Sequence, residues 1–331
     1  MRWREKALLQ QLIARMPASD ALYYTLQRHF GDLRNGRFDP MEWVIVAAEM
    51  VNRLRRSGFS LIGKRCLEVG TGRAIGLPLS LWLCGAQQTV TLDLNRYLSA
   101  ELVKESCRCL GRNAEGVAQL LQEVDEDGGL RERLDRLSSF SGDTRSLLKL
   151  INVTYMAPAD ATHVALPDHS CDFHFSYSVL EHVPGSEIVA MLREAGRLLS
   201  PEGALLHIFD LSDHFSYADD SITKINFLRF TDTQWRRWAG NKYMYHNRLR
   251  PSEFVKLFQE AGVRIKWESR ALDRRSLQQL QRGFPVQQRF QSFPHDELAV
   301  GAMQIMGTFP ASGAATSIAD NSHPVEVKYR K

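Results

Sequence analysis

The sequence predicts an α/β fold, a doubly wound and mostly parallel sheet, and three observations predict it. Short apolar strands alternate with amphipathic helices from residue 64 onward. A glycine-rich turn joins the first strand to the helix after it, and an acid, Asp93, closes the second strand. Ligands of such sheets lie beyond the carboxyl ends of the strands, where the strand order reverses.

The strands expected are 64–69, 89–92, 152–156, 172–176 and 204–209, with closing strands at 263–268 and 299–309. Helices are expected at 75–84, 187–199 and 251–261, the last with Ser252 near its start and Gly262 as its stop. Before the sheet, residues 1–30 and 39–57 carry apolar side chains at three- and four-residue spacings, Leu8, Leu9, Leu12 and Ile13 forming one stripe. Asp39 followed by Pro40 reads as an N-cap and a first helical residue. These helices make an N-terminal helical cover over 1–60, ahead of a sheet domain over 61–310. Two insertions interrupt that domain. Residues 98–150 are helical by pattern and far longer than an ordinary crossover, and 210–250 are aromatic and polar without a period. Residues 311–331 are small and polar and read as a mobile tail.

Composition narrows the function classes. With 44% hydrophobic and 24% charged residues, the chain is neither disordered nor fibrous. A formal net charge of +4 over 331 residues is too small to argue for a nucleic-acid partner. The longest apolar stretches, near 43–51 and 75–86, are too short to span a bilayer, and the N-terminus lacks a signal-peptide core. Five cysteines without framework spacing fit reduced thiols in a cytoplasm. The apolar N-terminal helices either cover the site or form a homodimer contact.

The run from Cys66 to Gly76 carries the strongest local signal. Gly70 and Gly72 let the chain turn sharply and let a ligand lie against the backbone, where a helix start presents unpaired N–H groups. Asp93 stands 21 residues beyond Gly72, placed to accept two hydrogen bonds from a ribose diol. The spacing of Gly70, Gly72 and Gly76 is not that of a dinucleotide fingerprint. Glu68 at the end of the first strand is expected to oppose a diphosphate by its negative charge and to tolerate a cationic ligand.

Five landmarks in order resemble the class I S-adenosylmethionine (SAM)-dependent methyltransferases, over roughly residues 61–209. They are Leu67-Glu68-Val69-Gly70-Thr71-Gly72, the acid Asp93 after Thr91 and Leu92, the step Ala159-Asp160-Ala161, the run Ser176 to Val183, and the turn Arg197 to Gly203. Ala74 stands where the family often has a third glycine. The resemblance implies a Rossmann-like sheet and SAM as cofactor. It implies cofactor contacts from Glu68, Gly70, Gly72, Arg73, Asp93, Leu94, Asp160, Ala161 and Ser176. Asp160 would accept from the adenine amino group.

Candidate catalytic residues are Tyr177, His182 and His214. The Tyr177 ring would face the sulfonium by cation–π attraction, or else be a core tyrosine. His182 is a general base or, as is common for the Glu-His pair in this family, an orienting element. His207, Asp210, Asp213 and His214 form a cluster that binds a metal, orients a substrate amine or hydroxyl, or simply ties a loop. No metal is expected, since no second group of cysteines or histidines is visible. The 243–250 run reads as a carboxylate-binding element or a loop anchor, the anchor favoured. The function expected first is methyl transfer from SAM to a small-molecule acceptor by in-line displacement. The alternatives are a cyclase that releases methylthioadenosine and a cyclic amino acid such as azetidine-2-carboxylate, and a non-catalytic SAM-binding partner.

Overall fold

The computed structural model describes residues 1–34 and 36–310. The expected mobile tail, 311–331, lies outside the described residues. Helices α1 (Trp3–Ala14), α2 (Ser19–Phe30) and α3 (Met41–Arg56) precede β1 (Arg65–Val69). Next come α4 (Gly76–Leu83) and β2 (Gln88–Leu92). Four helices, α5 (Ala100–Arg112), α6 (Ala114–Leu121), α7 (Leu130–Ser138) and α8 (Thr144–Leu150), lead to β3 (Val153–Met156). Then follow β4 (Cys171–Tyr177), α9 (Gly185–Leu198) and β5 (Leu199–Asp210). The rest is α10 (Asp232–Ala239), α11 (Pro251–Glu260), β6 (Arg264–Leu272), α12 (Arg274–Gln281), α13 (His295–Leu298) and β7 (Val300–Thr308).

The seven strands form one sheet in the order β3-β2-β1-β4-β5-β7-β6. The pairs among β1 to β5 are parallel, and β7 runs antiparallel between β5 and β6. The fold is therefore the expected doubly wound, mostly parallel sheet. Its order reverses between β1 and β4, which puts the ligand crevice over their carboxyl ends.

Alternation along the strands explains the two helix layers. Cys66, Phe173, Phe175, Leu206 and Ile208 face one layer, which includes residues of α3 to α8. Leu67, Val69, Leu205 and Phe209 face the other, with α9 and α11. Helix α3 belongs to the first layer through Val44, Ala47, Val51 and Leu54. Gly76 is required there: a Cβ on it would lie 2.0 Å from the Trp43 ring. A third apolar cluster joins Trp3 and Ala7 of α1 to Phe215, Phe227 and Trp235 of the 210–250 insertion.

Several elements differ from their sequence expectation. Residues 1–30 are two helices, because Pro17 disfavours helical geometry before it and Ala18 takes a positive φ of 53°. Helix α3 starts at Met41, whose N–H donates to the Asp39 carboxylate at 3.0 Å. Strand β5 begins five residues before the expected 204, at Leu199, because the 199–203 turn continues into the sheet. Helices α12 and α13 lie between the two closing strands, where the sequence reading places no helix.

Candidate functional site

The loop after β1 is shaped by two glycines at positive φ, 87° at Gly70 and 63° at Gly72. A Cβ on Gly70 would come within 2.3 Å of Val179 Cγ2, so this glycine lets the β4 loop pack on the β1 loop. A Cβ on Gly72 would meet nothing within 4 Å. That open side is where a ligand can approach the backbone. The Gly72 N–H donates to Asp93 Oδ2 at 3.0 Å, and the Asn95 N–H donates to Oδ1 at 3.0 Å. Each carboxylate oxygen keeps capacity for a further donor. Burial raises the Asp93 pKa, and these two backbone bonds oppose the rise. Leu94, beside it, is 65% exposed and offers an apolar wall. The Arg73 guanidinium stands over the rings of Tyr24 at 4.8 Å and Tyr97 at 5.0 Å. Helix α2 is thereby tied to the glycine loop.

Glu68 corrects an expectation. Its side chain is buried, accepts from the Thr91 hydroxyl and lies under the loop, with Thr91 in turn 2.5 Å from the Thr71 hydroxyl. Burial pushes its pKa up to about 8, against a weaker lowering by Thr91. At neutral pH it is largely protonated, so it does not oppose a diphosphate by charge.

Asp160 is exposed, and its Oδ1 accepts both the Thr162 N–H and hydroxyl at 2.8 Å. The Ala159 N–H donates to the Asp93 carbonyl at 2.9 Å, which brings this turn and buried Ala161 beside the β2 end. Ser176 is fully buried, with its hydroxyl 2.7 Å from His207 Nδ1. That side chain is committed to the interior, and the residue sits in the sheet between β1 and β5, next to the end of β4. Tyr177 is half-buried at the end of β4 against the first layer.

Beyond β4 and β5 the chain brings together side chains far apart in sequence. The His182 and His214 ring centroids are 5.0 Å apart, and His246 lies 5.8 Å and 5.1 Å from them. Glu181, fully buried, is beside them. Asp210 Oδ2 stands 3.4 Å from His214 Nε2 and accepts from the Tyr217 hydroxyl. Burial alone would raise the Asp210 pKa, but His214, Tyr217 and Ser212 hold it well below the usual carboxylate range. Asp213 does not join this group. It accepts from Asn226 Nδ2 at 2.8 Å and the Phe215 N–H at 2.9 Å, and burial lifts it to about 6. His207 also stands apart, inside the second layer.

Sequence reasoning missed His246 and gave Glu181 no role of its own. Their meeting depends on Asn247, whose Nδ2 donates to the carbonyls of Leu180 at 2.7 Å and Val183 at 2.8 Å. Buried Arg248 donates to the carbonyls of Phe227 at 2.9 Å and Phe230 at 2.8 Å, and Arg250 to that of Leu211 at 2.8 Å. The 243–250 run is thus a loop anchor. No local period announces such contacts; only the residue types in the run hinted at them.

Residues 139–207 match the family model of a methyltransferase domain. That span includes β3, β4 and the Glu181-His182 turn. The resemblance to the class I methyltransferases stands. No curated protein matches the sequence. Among solved structures, the chain is similar to a SAM-dependent methyltransferase from Methanosarcina mazei, at 14% identity over 78% of this chain and 98% of that one, TM-score 0.43. It is similar to magnesium protoporphyrin IX methyltransferase from Synechocystis, with bound SAH, at 12% identity over 80% and 82%, TM-score 0.43. A third likeness is to a SAM-dependent methyltransferase from Leishmania major, at 16% identity over 92% and 82%, TM-score 0.41. Likenesses this distant are likenesses only. Among the described residues, no helix is long and apolar enough to cross a membrane.

Proposed function

We propose that the protein transfers the methyl group of SAM to a small-molecule acceptor. The observation that carries the reading is the joined β1–β2 end. There an open glycine backbone at Gly72 and a carboxylate at Asp93 are locked together at 3.0 Å. SAM would supply the electrophilic methyl; the chain supplies position and a dry wall. Asp93 accepts from the ribose diol, while Gly70 and Gly72 present backbone and Leu94 covers the adenine. Asp160 and Ala161 border the adenine edge, and Ser176 contributes its backbone. Arg73, held between Tyr24 and Tyr97, closes the loop side. The Tyr177 ring shields the sulfonium side from water. His182 and His214 lie on the acceptor side, where they orient the incoming nucleophile. Four of the five cysteines are buried free thiols, in keeping with a cytoplasmic protein.

Calorimetry with SAM tests this reading. Asp93→Ala removes the acceptor of two ribose hydroxyls and should weaken binding about tenfold or more, since a lost bond of this kind costs roughly 1–3 kcal/mol. Equal affinity in that variant would reject the site. Incubation with SAM alone, followed by mass spectrometry, separates the chemistries: enzyme-dependent methylthioadenosine would replace methyl transfer by cyclisation.

A further inference from the structure

The group beyond β4 and β5 has a property that a loop network does not need. Both carboxylate oxygens of Glu181 are buried and form no hydrogen bond. The backbone N–H groups of Glu181 and Asp210 come near enough only to soften the penalty of burial. His214 Nε2 is likewise buried without a hydrogen bond, at 3.4 Å from Asp210 in poor alignment. Leaving three such atoms unsatisfied is costly unless something fills the space between them. Arg250 does not fill it, since its guanidinium donates to the carbonyls of Leu211, Leu249, Leu298 and Val300.

We propose that Glu181, His182 and His214 form a binding site for a divalent first-row transition metal such as Zn²⁺, Mn²⁺ or Fe²⁺. Ligand atoms of the three residues lie within 4.8 Å of one another. Metal bonds of about 2.0–2.2 Å hold donors about 3–4 Å apart, so small side-chain rotations close the set. Two imidazoles and one carboxylate are donors suited to these ions rather than to Ca²⁺. The arrangement around His182 is the kind that supports a ligand. Its Nδ1 lies 2.7 Å from the Tyr245 carbonyl, which can only accept, so Nδ1 carries the proton and Nε2 keeps its lone pair. His246 is excluded by the same reasoning. Its Nδ1 accepts the Arg248 N–H at 3.2 Å, so its buried Nε2 bears the hydrogen and has no lone pair to offer an ion.

Three protein ligands leave coordination positions open to water or to an oxygen of a substrate. The turn that carries Glu181 and His182 adjoins the glycine loop, because Val179, two residues before Glu181, packs on Gly70. That the metal holds an acceptor rests on the methyl-transfer reading; that it binds does not.

The test uses the full chain, stripped with chelator and titrated with Co²⁺ as probe. One Co²⁺ per chain should bind, with visible d–d bands that Zn²⁺ displaces. Paramagnetic proton NMR of the wild-type complex should show shifted ring signals from two imidazoles. Glu181→Gln, His182→Asn and His214→Asn should each weaken Co²⁺ binding at least about tenfold. SAM affinity and melting temperature are measured on the same preparations. A folded wild type without a one-to-one complex, or without imidazole signals, overturns the site, and so does wild-type affinity in all three variants. Loss of SAM binding with the metal complex intact would instead reject the methyl-transfer reading alone.

Discussion

Glu68 sits under the glycine loop as a buried acid that accepts from the Thr91 hydroxyl, and burial pushes its pKa up to about 8, far above its unfolded value. The native state therefore holds a proton that the unfolded chain has already lost at neutral pH. Stability from this group is complete below the unfolded pKa and falls as pH rises toward 8, by up to about 1.4 kcal/mol per pH unit. Buried histidines such as His174, pushed down to about 4, add an opposite slope near their unfolded value of 6.5, but equally in wild type and in a variant at Glu68, so the difference between the two isolates this acid. Glu68→Gln keeps the shape and removes the titration. Urea unfolding between about pH 6.5 and 8 should show the wild type losing stability relative to the variant as pH rises; identical slopes would mean that Glu68 is ionised in the native protein.

Asn247 shows how one loop assembles the candidate site. Its amide ties the 243–250 run to the 180–183 turn through two carbonyls, and its own N–H reaches the Glu181 carbonyl at 2.9 Å. These bonds set Tyr245 against His182 and bring His246 beside His214. Asn247→Ala leaves the Leu180 and Val183 carbonyls without their donor, which should lower stability by about 1–3 kcal/mol. The denaturant midpoint reads that loss. A shift within the error of the wild type would show that water replaces the amide without penalty. The expectation of an anchor came from Asn247, Arg248 and Arg250 as residue types. What they anchor to was illegible, since the acceptors are backbone carbonyls that any sequence possesses.

The N-terminal helices close over the molecule from the side of the insertion. Trp3 sits among Phe215, Phe230 and Trp238, and its backbone N–H donates to Asp219 Oδ2 at 2.7 Å. Tyr23 stacks on Tyr243 at 4.0 Å, and Tyr24 lies against Arg73 of the glycine loop. An open cleft of ≈ 370 Å³ is lined by Tyr24, Arg28, Arg34 and Glu101 among others, and not by the glycine loop. Helix α2 stands against the glycine loop through Tyr24 and Arg73, which places it to move when a ligand of nucleoside size enters. Hydrogen exchange in residues 1–34 or 210–250 should slow when SAM or S-adenosylhomocysteine is added. Unchanged exchange in both segments would show a static cover.

The strands, the glycine turn and Asp93 were legible because their signals are local. Alternation, a positive-φ requirement and a strand-end acid all act within a few residues. The same reasoning placed the helices of the first layer, yet it could not show that α3 packs into the main core while α1 joins the insertion. Both helices are amphipathic, and a stripe says that a face is buried without saying against what. Glu68 read as a charge because a sequence carries residue types and not their solvation; burial made it an acid that keeps its proton. The meeting of Glu181, His182, His214 and His246 was beyond reach for a related reason. Residues up to 65 positions apart converge there only because β4 and β5 are neighbours and Asn247 pins a third loop to them.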